Sequence, residues 1–150
     1  MAKSETIKFL LDTNVISELA KHEPSRSVMS WLDKTPEETL FISVVTLAEL
    51  HRGVARLPES PRRSRLHIWL SGSLPDRFDG RILPVDIAVA RQWGIVVAQC
   101  EIAGRPMEAL DALLAATAVI HKLTFVTRNV RHFSVLGSAV LNPWDMTSQI

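Results

Sequence analysis

Three features are missing from this sequence: a secretory signal, a membrane span and a disulfide bond. The N-terminal residues MAKSETIK contain no apolar stretch of the kind that begins a secretory signal. No apolar run approaches the roughly 18 residues that a membrane span requires. The single cysteine, Cys100, excludes an intramolecular disulfide and is typical of proteins from a reducing compartment. We therefore expect a cytoplasmic protein without a membrane segment.

The common catalytic fingerprints are also missing. The sequence contains no GxSxG elbow, no P-loop and no GxGxxG motif, and its five histidines form no zinc pair at helical spacing. We interpret Cys100 as a packed side chain and His132 as a surface residue. The net charge of +1 does not by itself indicate a partner. A nucleotide-binding loop, a serine hydrolase and a helical zinc site are thus disfavoured.

Short apolar runs alternate with longer helical patterns along the chain, and neither a repeat nor a linker divides it. Strands are predicted at residues 7–11, 39–44, 81–85, 124–127 and 139–142. Helices are predicted at residues 15–21, 25–34, 46–57, 64–74, 86–103 and 108–122, with a loop at 58–63. This alternation requires crossover connections. We expect one α/β domain over residues 1–150, with a mostly parallel central sheet flanked by helices on both faces.

Acidic side chains follow the ends of several predicted strands. Asp12 comes directly after the first strand, and Glu49 lies in the first turn after the second. Asp111 lies near the start of the helix that leads into the fourth strand. The carboxyl ends of parallel strands lie along one edge of the sheet, where ligands bind. We expect these acids to meet at that edge, together with Asp86 and Asn129.

Asp12 and Glu49 also have structural interpretations. Aspartate is favoured at a helix N-cap, although the sequence DTN offers Thr13 or Asn14 for the same role. The sequence TLAE at residues 46–49 matches a capping box in which Thr46 is the cap and Glu49 reaches back to it. Both alternatives remain open at this point.

The other two acids differ in how well a structural role explains them. Asp86, placed before IAVA, is most simply an N-cap, whereas Asp111 interrupts an apolar segment and only modestly suits the helix dipole.

Clustered carboxylates repel one another unless they share a cation or a proton. Mg²⁺ and Mn²⁺ prefer oxygen ligands and can activate water and stabilise charge on a phosphoryl group. An acidic metal site at this edge indicates phosphodiester hydrolysis.

Several segments, in order, resemble a known family. They are FLLDTNVISEL at residues 9–19, ISVVTLAELHRGV at 42–54, RILPVD at 81–86, DALLAATAVIHKLTFVTRNVRHF at 111–133 and LNPW at 141–144. This ordered set resembles the PIN domain, and within it the VapC-like toxins of bacterial toxin–antitoxin pairs, particularly the branch that includes FitB. LLDTN alone is a weak signal, but the ordered set is specific.

The resemblance implies a compact α/β endoribonuclease that depends on Mg²⁺ or Mn²⁺. The family's acids match Asp12, Glu49 and Asp111, which are therefore the expected metal ligands and catalytic residues. Asn129 is the fourth expected catalytic residue, since it stands where many members have another acid. An amide adds no negative charge, so a second metal should bind more weakly, although many relatives also carry TRN. The residues expected to line the site are Asn14, Thr127 and, at its outer rim, Asp86.

The resemblance also implies partners. The expected partner is a small VapB-like antitoxin that wraps the toxin, blocks the acidic site with a basic side chain and carries a DNA-binding domain. A homodimer is expected, as is a larger toxin–antitoxin assembly bound to operator DNA through the antitoxin. The expected substrate is a transfer RNA or ribosomal RNA. Apolar residues of an early helix, Val28, Trp31 and Leu32, are candidates for a partner groove.

A cluster of arginines lies in HRGVARLPESPRRSRLH, residues 51–67. One interpretation is an ordinary solvated surface. The other is a surface that attracts RNA phosphate towards acids that would otherwise repel it. The cluster consists of Arg52, Arg56, Arg62, Arg63 and Arg65.

Two other functions compete with RNA cleavage. A PIN-like fold that binds RNA or a partner without cleaving would fit the missing fourth acid. A DNA-directed nuclease is equally compatible with the metal chemistry, because that chemistry does not select the sugar. A phosphatase of the haloacid dehalogenase type is disfavoured, because LLDTN lacks the second aspartate of the DxD motif.

Overall fold

The sheet is parallel throughout the part of the chain that the computed structural model describes, residues 6–134 and 139–146. Its strand order is β3-β2-β1-β4-β5. The strands are β1 Phe9–Leu11, β2 Leu40–Ser43, β3 Ile82–Leu83, β4 Thr124–Val126 and β5 Val140–Leu141. The predicted parallel sheet is confirmed. Every strand is shorter than predicted, because most of them turn into a cap or a loop as soon as their ladder bonds end.

Helices fill the connections between the strands. They are α1 Thr13–Leu19, α2 Arg26–Lys34, α3 Val44–Ala55, α4 Pro61–Ile68, α5 Leu74–Arg77, α6 Ile87–Ile102, α7 Ala109–His121 and α8 Val130–Phe133. Helices α1 and α3 each begin two residues earlier than predicted, and the prediction for residues 58–74 was wrong in two places. The loop predicted at 58–63 ends at Ser60, whose hydroxyl accepts a hydrogen bond from the N–H of Arg63 at 3.1 Å and caps α4. The helix predicted at 64–74 is interrupted by a π-helical segment, Trp69–Ser73, between α4 and α5.

Neighbouring residues of each central strand face opposite cores. Leu10 and Phe125 pack in one apolar cluster with Val96 of α6, while Leu11 and Val126 pack in the other. This alternation follows from the two-residue period of a strand. The second cluster includes residues of α1, α2 and the π-helical segment. Helices therefore cover both faces of the sheet, as the continuous apolar strands predicted.

The early helices are packed rather than open. Val28 and Leu32 of α2 are buried in the core, with 0% and 5% of their surface exposed. The ring of Trp31 meets Phe9 edge-on, with 5.1 Å between the centroids. The predicted partner groove at these residues was therefore wrong, because α2 uses this apolar face to cover the sheet. Cys100 is buried, as expected.

None of the helices in residues 6–134 and 139–146 is long and apolar enough to cross a membrane.

Candidate active site

Asp12 lies at the carboxyl end of β1 with only 6% of its surface exposed. Its Oδ1 accepts a hydrogen bond from the N–H of Thr13 at 2.7 Å, and its Oδ2 accepts one from the hydroxyl of Thr127 at 2.7 Å. Asp12 also occupies the N-cap position of α1. The N-cap interpretation of Asp12 is therefore confirmed, and neither Thr13 nor Asn14 takes that role. The same carboxylate both begins α1 and lies at the sheet edge.

Glu49 is joined to this group through a hydroxyl. Thr13 Oγ1 donates to Glu49 Oε1 at 2.7 Å and lies 3.1 Å from the hydroxyl of Thr46. The capping-box interpretation was wrong, because α3 begins at Val44 and its cap is Ser43. Glu49 therefore lies one turn further along the helix, where its carboxylate is available to the site.

Asp111 lies in the first turn of α7, with 29% of its side chain exposed. His132 Nε2 is 3.9 Å from Asp111 Oδ2. Burial raises the pKa of Asp111, the charge of His132 opposes this, and the charges of Glu108 and Glu49 add to it. Our interpretation of His132 as a surface residue missed this contact, and Glu108 was not identified at all. The sequence did offer one signal for His132, because this residue follows β4 and therefore lies near the carboxyl edge of the sheet.

The three acids influence one another electrostatically. The pKa of Asp12 is raised to about 6, mainly by burial. The charges of Asp111 and Glu49 contribute to this rise, and the hydrogen bonds from Thr127 and Thr13 oppose it. Asp12 therefore lies within electrostatic range of both other acids. A proton or a cation at this edge would relieve the repulsion.

Two amide residues of the predicted site behave differently. The side chain of Asn129 is exposed at the start of α8, and the recorded contact is made by its backbone, whose N–H donates to Thr127 Oγ1 at 3.0 Å. Asn129 thereby orients the hydroxyl that holds Asp12.

Asn14 Oδ1 is buried and, within the described residues, accepts no hydrogen bond. A buried polar atom without a partner is unusual and indicates a missing donor or cation.

Asp86 lies further out, beyond the end of edge strand β3. Its Oδ1 accepts from the N–H of Val89 at 3.0 Å and caps α6, and its surface is exposed. The N-cap interpretation is therefore confirmed, while a role at the rim stays a prediction. The arginines of residues 51–67, which we call the α3–α4 arginines, lie on α3, at its C-cap and on α4. Within the described residues none of them forms a salt bridge.

The oxygen-rich donor set fits a hard divalent cation rather than zinc. Carboxylates and an amide oxygen are what Mg²⁺ and Mn²⁺ prefer, whereas structural zinc takes histidine and cysteine. The orphaned Asn14 Oδ1 and the raised pKa of Asp12 are both features that a cation would relieve. In residues 6–134 and 139–146, no three Asp, Glu, His or Cys side chains stand close enough together to hold a metal as they are placed. Repelling carboxylates would have to draw together around an ion.

Comparison with known proteins identifies the family. The PIN domain model matches residues 9–137. The VapC ribonuclease Y4jK of Sinorhizobium fredii (strain NBRC 101917 / NGR234) is 40% identical over 136 residues, which cover 91% of this chain and 97% of that protein. Toxin FitB of Neisseria gonorrhoeae (strain ATCC 700825 / FA 1090) is 41% identical over 135 residues, covering 90% and 97%. The structure of FitAB bound to the IR36 DNA fragment matches with a TM-score of 0.87 and 37% identity, covering 95% of this chain and 99% of that one. The chain belongs to the PIN-domain family.

Proposed function

We propose that this protein is a metal-dependent endoribonuclease that acts as the toxin of a toxin–antitoxin pair. The observation that carries the proposal is a buried Asp12 coupled to Glu49 and Asp111 at the carboxyl edge of a parallel sheet. The relatives named above support it, because one is a ribonuclease and another a toxin, at 40% and 41% identity.

In this proposal Asp12, Asp111 and Glu49 hold Mg²⁺ or Mn²⁺. When bound, the ion supplies activation of water and stabilisation of the charge on the phosphoryl group. Two of the protein's own hydroxyls orient Asp12 and Glu49 beforehand. Thr127 holds Asp12 Oδ2 and Thr13 holds Glu49 Oε1, so each carboxylate is oriented while its oxygens retain lone pairs for a further ligand.

The partners form a second part of the proposal. We assign to this protein a small VapB-like antitoxin as its partner, and we expect the protein to form a homodimer. With the antitoxin it would form a larger assembly on operator DNA. The protein would act in the cytoplasm, where its RNA substrate is found. The similarity to FitAB, which is bound to a DNA fragment in its structure, supports this part. Co-expression with the product of an adjacent short gene, followed by size-exclusion chromatography, tests it. A chain that elutes alone with every such product would contradict it.

The experiment for the activity compares matched single strands of RNA and DNA incubated with the purified protein and Mn²⁺. We expect cleavage of RNA that EDTA abolishes and that Asp111→Asn removes. Asp33→Asn is the matched control, because it changes an exposed acid of α2 that lies outside the predicted site and should leave cleavage intact.

Two outcomes would overturn the assignment. Equal cleavage of DNA would favour a DNA-directed nuclease. No cleavage of any RNA with Mn²⁺, together with tight binding of the antitoxin, would favour a binding module.

A further inference from the structure

A cavity of about 220 Å³ opens beside the acidic edge. Its lining residues come from two separate segments of the chain. Arg105, Pro106 and Met107 belong to the link between α6 and α7, whereas Arg131 and His132 belong to α8. We call this cavity the basic pocket, because two guanidinium groups and an imidazole surround it.

The basic pocket adjoins the acids directly. His132 lines it and also lies 3.9 Å from Asp111 Oδ2 through its Nε2. The backbone on the other side is fixed, since the N–H of Arg105 donates to the carbonyl of Cys100 at 2.8 Å at the end of α6. The pocket and the acidic site are therefore neighbours joined through one side chain, and a single extended ligand can reach both.

The arginines of the pocket have no acidic partner in the described residues. Neither Arg105 nor Arg131 forms a salt bridge there, and both side chains are exposed. Glu108 is close in sequence but does not line the cavity. A guanidinium presents a planar fork of donors that matches the oxygens of a phosphate. The uncompensated charge of this pocket is therefore suited to an anion.

The chemistry of the neighbouring site indicates which anion. Three coupled carboxylates repel the backbone of a nucleic acid, so positive groups beside them are needed to hold it. His132 lines the pocket and its Nε2 lies 3.9 Å from Asp111 Oδ2, whereas none of the α3–α4 arginines forms a salt bridge with Asp12, Glu49 or Asp111 in the described residues. The guanidinium groups of Arg105 and Arg131 thus line the same pocket as the side chain that contacts Asp111, and they are placed to hold RNA beside the acids.

We propose that the basic pocket binds the backbone phosphate of the RNA nucleotide that flanks the scissile bond, with Arg105 and Arg131 as the phosphate ligands. This inference rests on the proposed ribonuclease function and adds where the substrate is held. It assigns the main electrostatic contact to Arg105 and Arg131 rather than to the α3–α4 arginines.

The test measures binding of a fluorescein-labelled single-stranded RNA to protein carrying Asp12→Asn, which removes cleavage. The double variant Arg105→Ala with Arg131→Ala should bind about tenfold more weakly. The slope of log affinity against log salt should fall by about 0.7 for the loss of one phosphate contact. The matched control is the double variant Arg62→Ala with Arg65→Ala on α4, which should change neither quantity. Arg105→Lys with Arg131→Lys should restore the salt slope.

A cleavage assay with Asp12 intact separates failure of this inference from failure of the proposed function. The alanine double variant should raise KM and leave kcat nearly unchanged. If the parent cleaves RNA but the alanine double variant binds and cleaves like the parent, the pocket assignment is wrong and the function stands. If the α4 control alone weakens binding, the α3–α4 arginines hold the substrate instead. If the parent neither binds nor cleaves RNA, both proposals fall.

Discussion

Asp12 and Glu18 are two buried carboxylates at opposite ends of α1, with 6% and 4% of their surfaces exposed. Burial by itself raises the pKa of Glu18, but the bonds it receives from Lys21 and from the N–H of Ser25, and the charge of Lys21, outweigh this. The pKa of Glu18 consequently lies below its ordinary value. The pKa of Asp12 rises to about 6, because its donors are neutral and its charged neighbours are acids.

The difference between the two lies in their partners and not in their burial. Glu18 has its own cation, and it ties α1 to the start of α2 through Ser25 N–H at 2.8 Å. Asp12 has two neutral donors and is destabilised as an anion. A buried acid that is left without a cation inside a cluster of acids is a mark of a functional site. Glu18, which is paired with Lys21, has the features of a structural acid. Asp12, whose donors are neutral, has the features of an acid that binds a ligand.

The largest expected effect is on catalysis. Asp12→Asn should lower Mn²⁺-dependent RNA cleavage at least about a hundredfold, since even indirect partners of a metal ligand typically contribute 10- to 100-fold. Glu18→Gln should leave the rate per folded molecule unchanged. Single-turnover cleavage by both variants, corrected for the folded fraction by circular dichroism, measures this. Equal losses in the two variants would show that burial alone, and not the partner, distinguishes the acids.

The next effect is on stability, and its sign should differ between the two acids. A rise in pKa from 3.8 to about 6 corresponds to about 3 kcal/mol. Asp12→Asn should therefore raise the free energy of unfolding in metal-free buffer at neutral pH by about 1–3 kcal/mol, the usual trade of stability for function. Glu18→Gln should lower it by about 1 kcal/mol, because Lys21 loses its charged partner. Urea denaturation of both variants and the parent measures the two signs. A destabilised Asp12→Asn would contradict the assigned repulsion.

The pH dependence sharpens the same contrast. The unfolded chain releases the Asp12 proton near 3.8 and the folded chain near 6, so the folded state binds more protons between these values. Stability therefore falls as the pH rises through this window. The increase in the free energy of unfolding caused by Asp12→Asn should vanish near pH 4 and reach its full size above pH 6. Glu18 changes the stability in the opposite direction, because its pKa is lowered in the folded state. Its contribution to the free energy of unfolding is present above its ordinary pKa of 4.5 and is lost as the pH falls below that value. Denaturation series between pH 3 and pH 7 follow both differences.

More of the fold than of the site could be predicted from the sequence. Alternating strands and helices predicted the parallel sheet, and the topology alone placed Asp12, Glu49 and Asp111 on one edge. Helix starts were less certain, because Ser43 and Thr46 are both good caps and only packing selects between them. Ser60 followed by Pro61 did carry a readable start for α4, a cap with proline in the first turn.

Side-chain pairing was the part that the sequence did not supply. Glu18 and Lys21 stand three residues apart, which permits an ion pair on a helix face but does not show that the glutamate is buried. The contact between His132 and Asp111 joins α8 to α7 across the sheet edge, and no local pattern encodes it. Burial and long-range partners therefore had to come from the structure. They are also the features that separate the two acids of α1.

The smallest expected effect is at Asn129. Its side chain is exposed and its recorded contact is the backbone N–H to Thr127 Oγ1, so Asn129→Ala leaves the donor to Asp12 in place. We expect cleavage to fall by less than about threefold, against about tenfold for Thr127→Val, which removes one hydrogen bond to the buried carboxylate. Steady-state cleavage by the two variants in Mn²⁺ measures the ratio. A loss at Asn129→Ala as large as at Thr127→Val would mean that the amide side chain itself contacts the metal or the RNA, and that Asp12 depends on more than its two neutral donors.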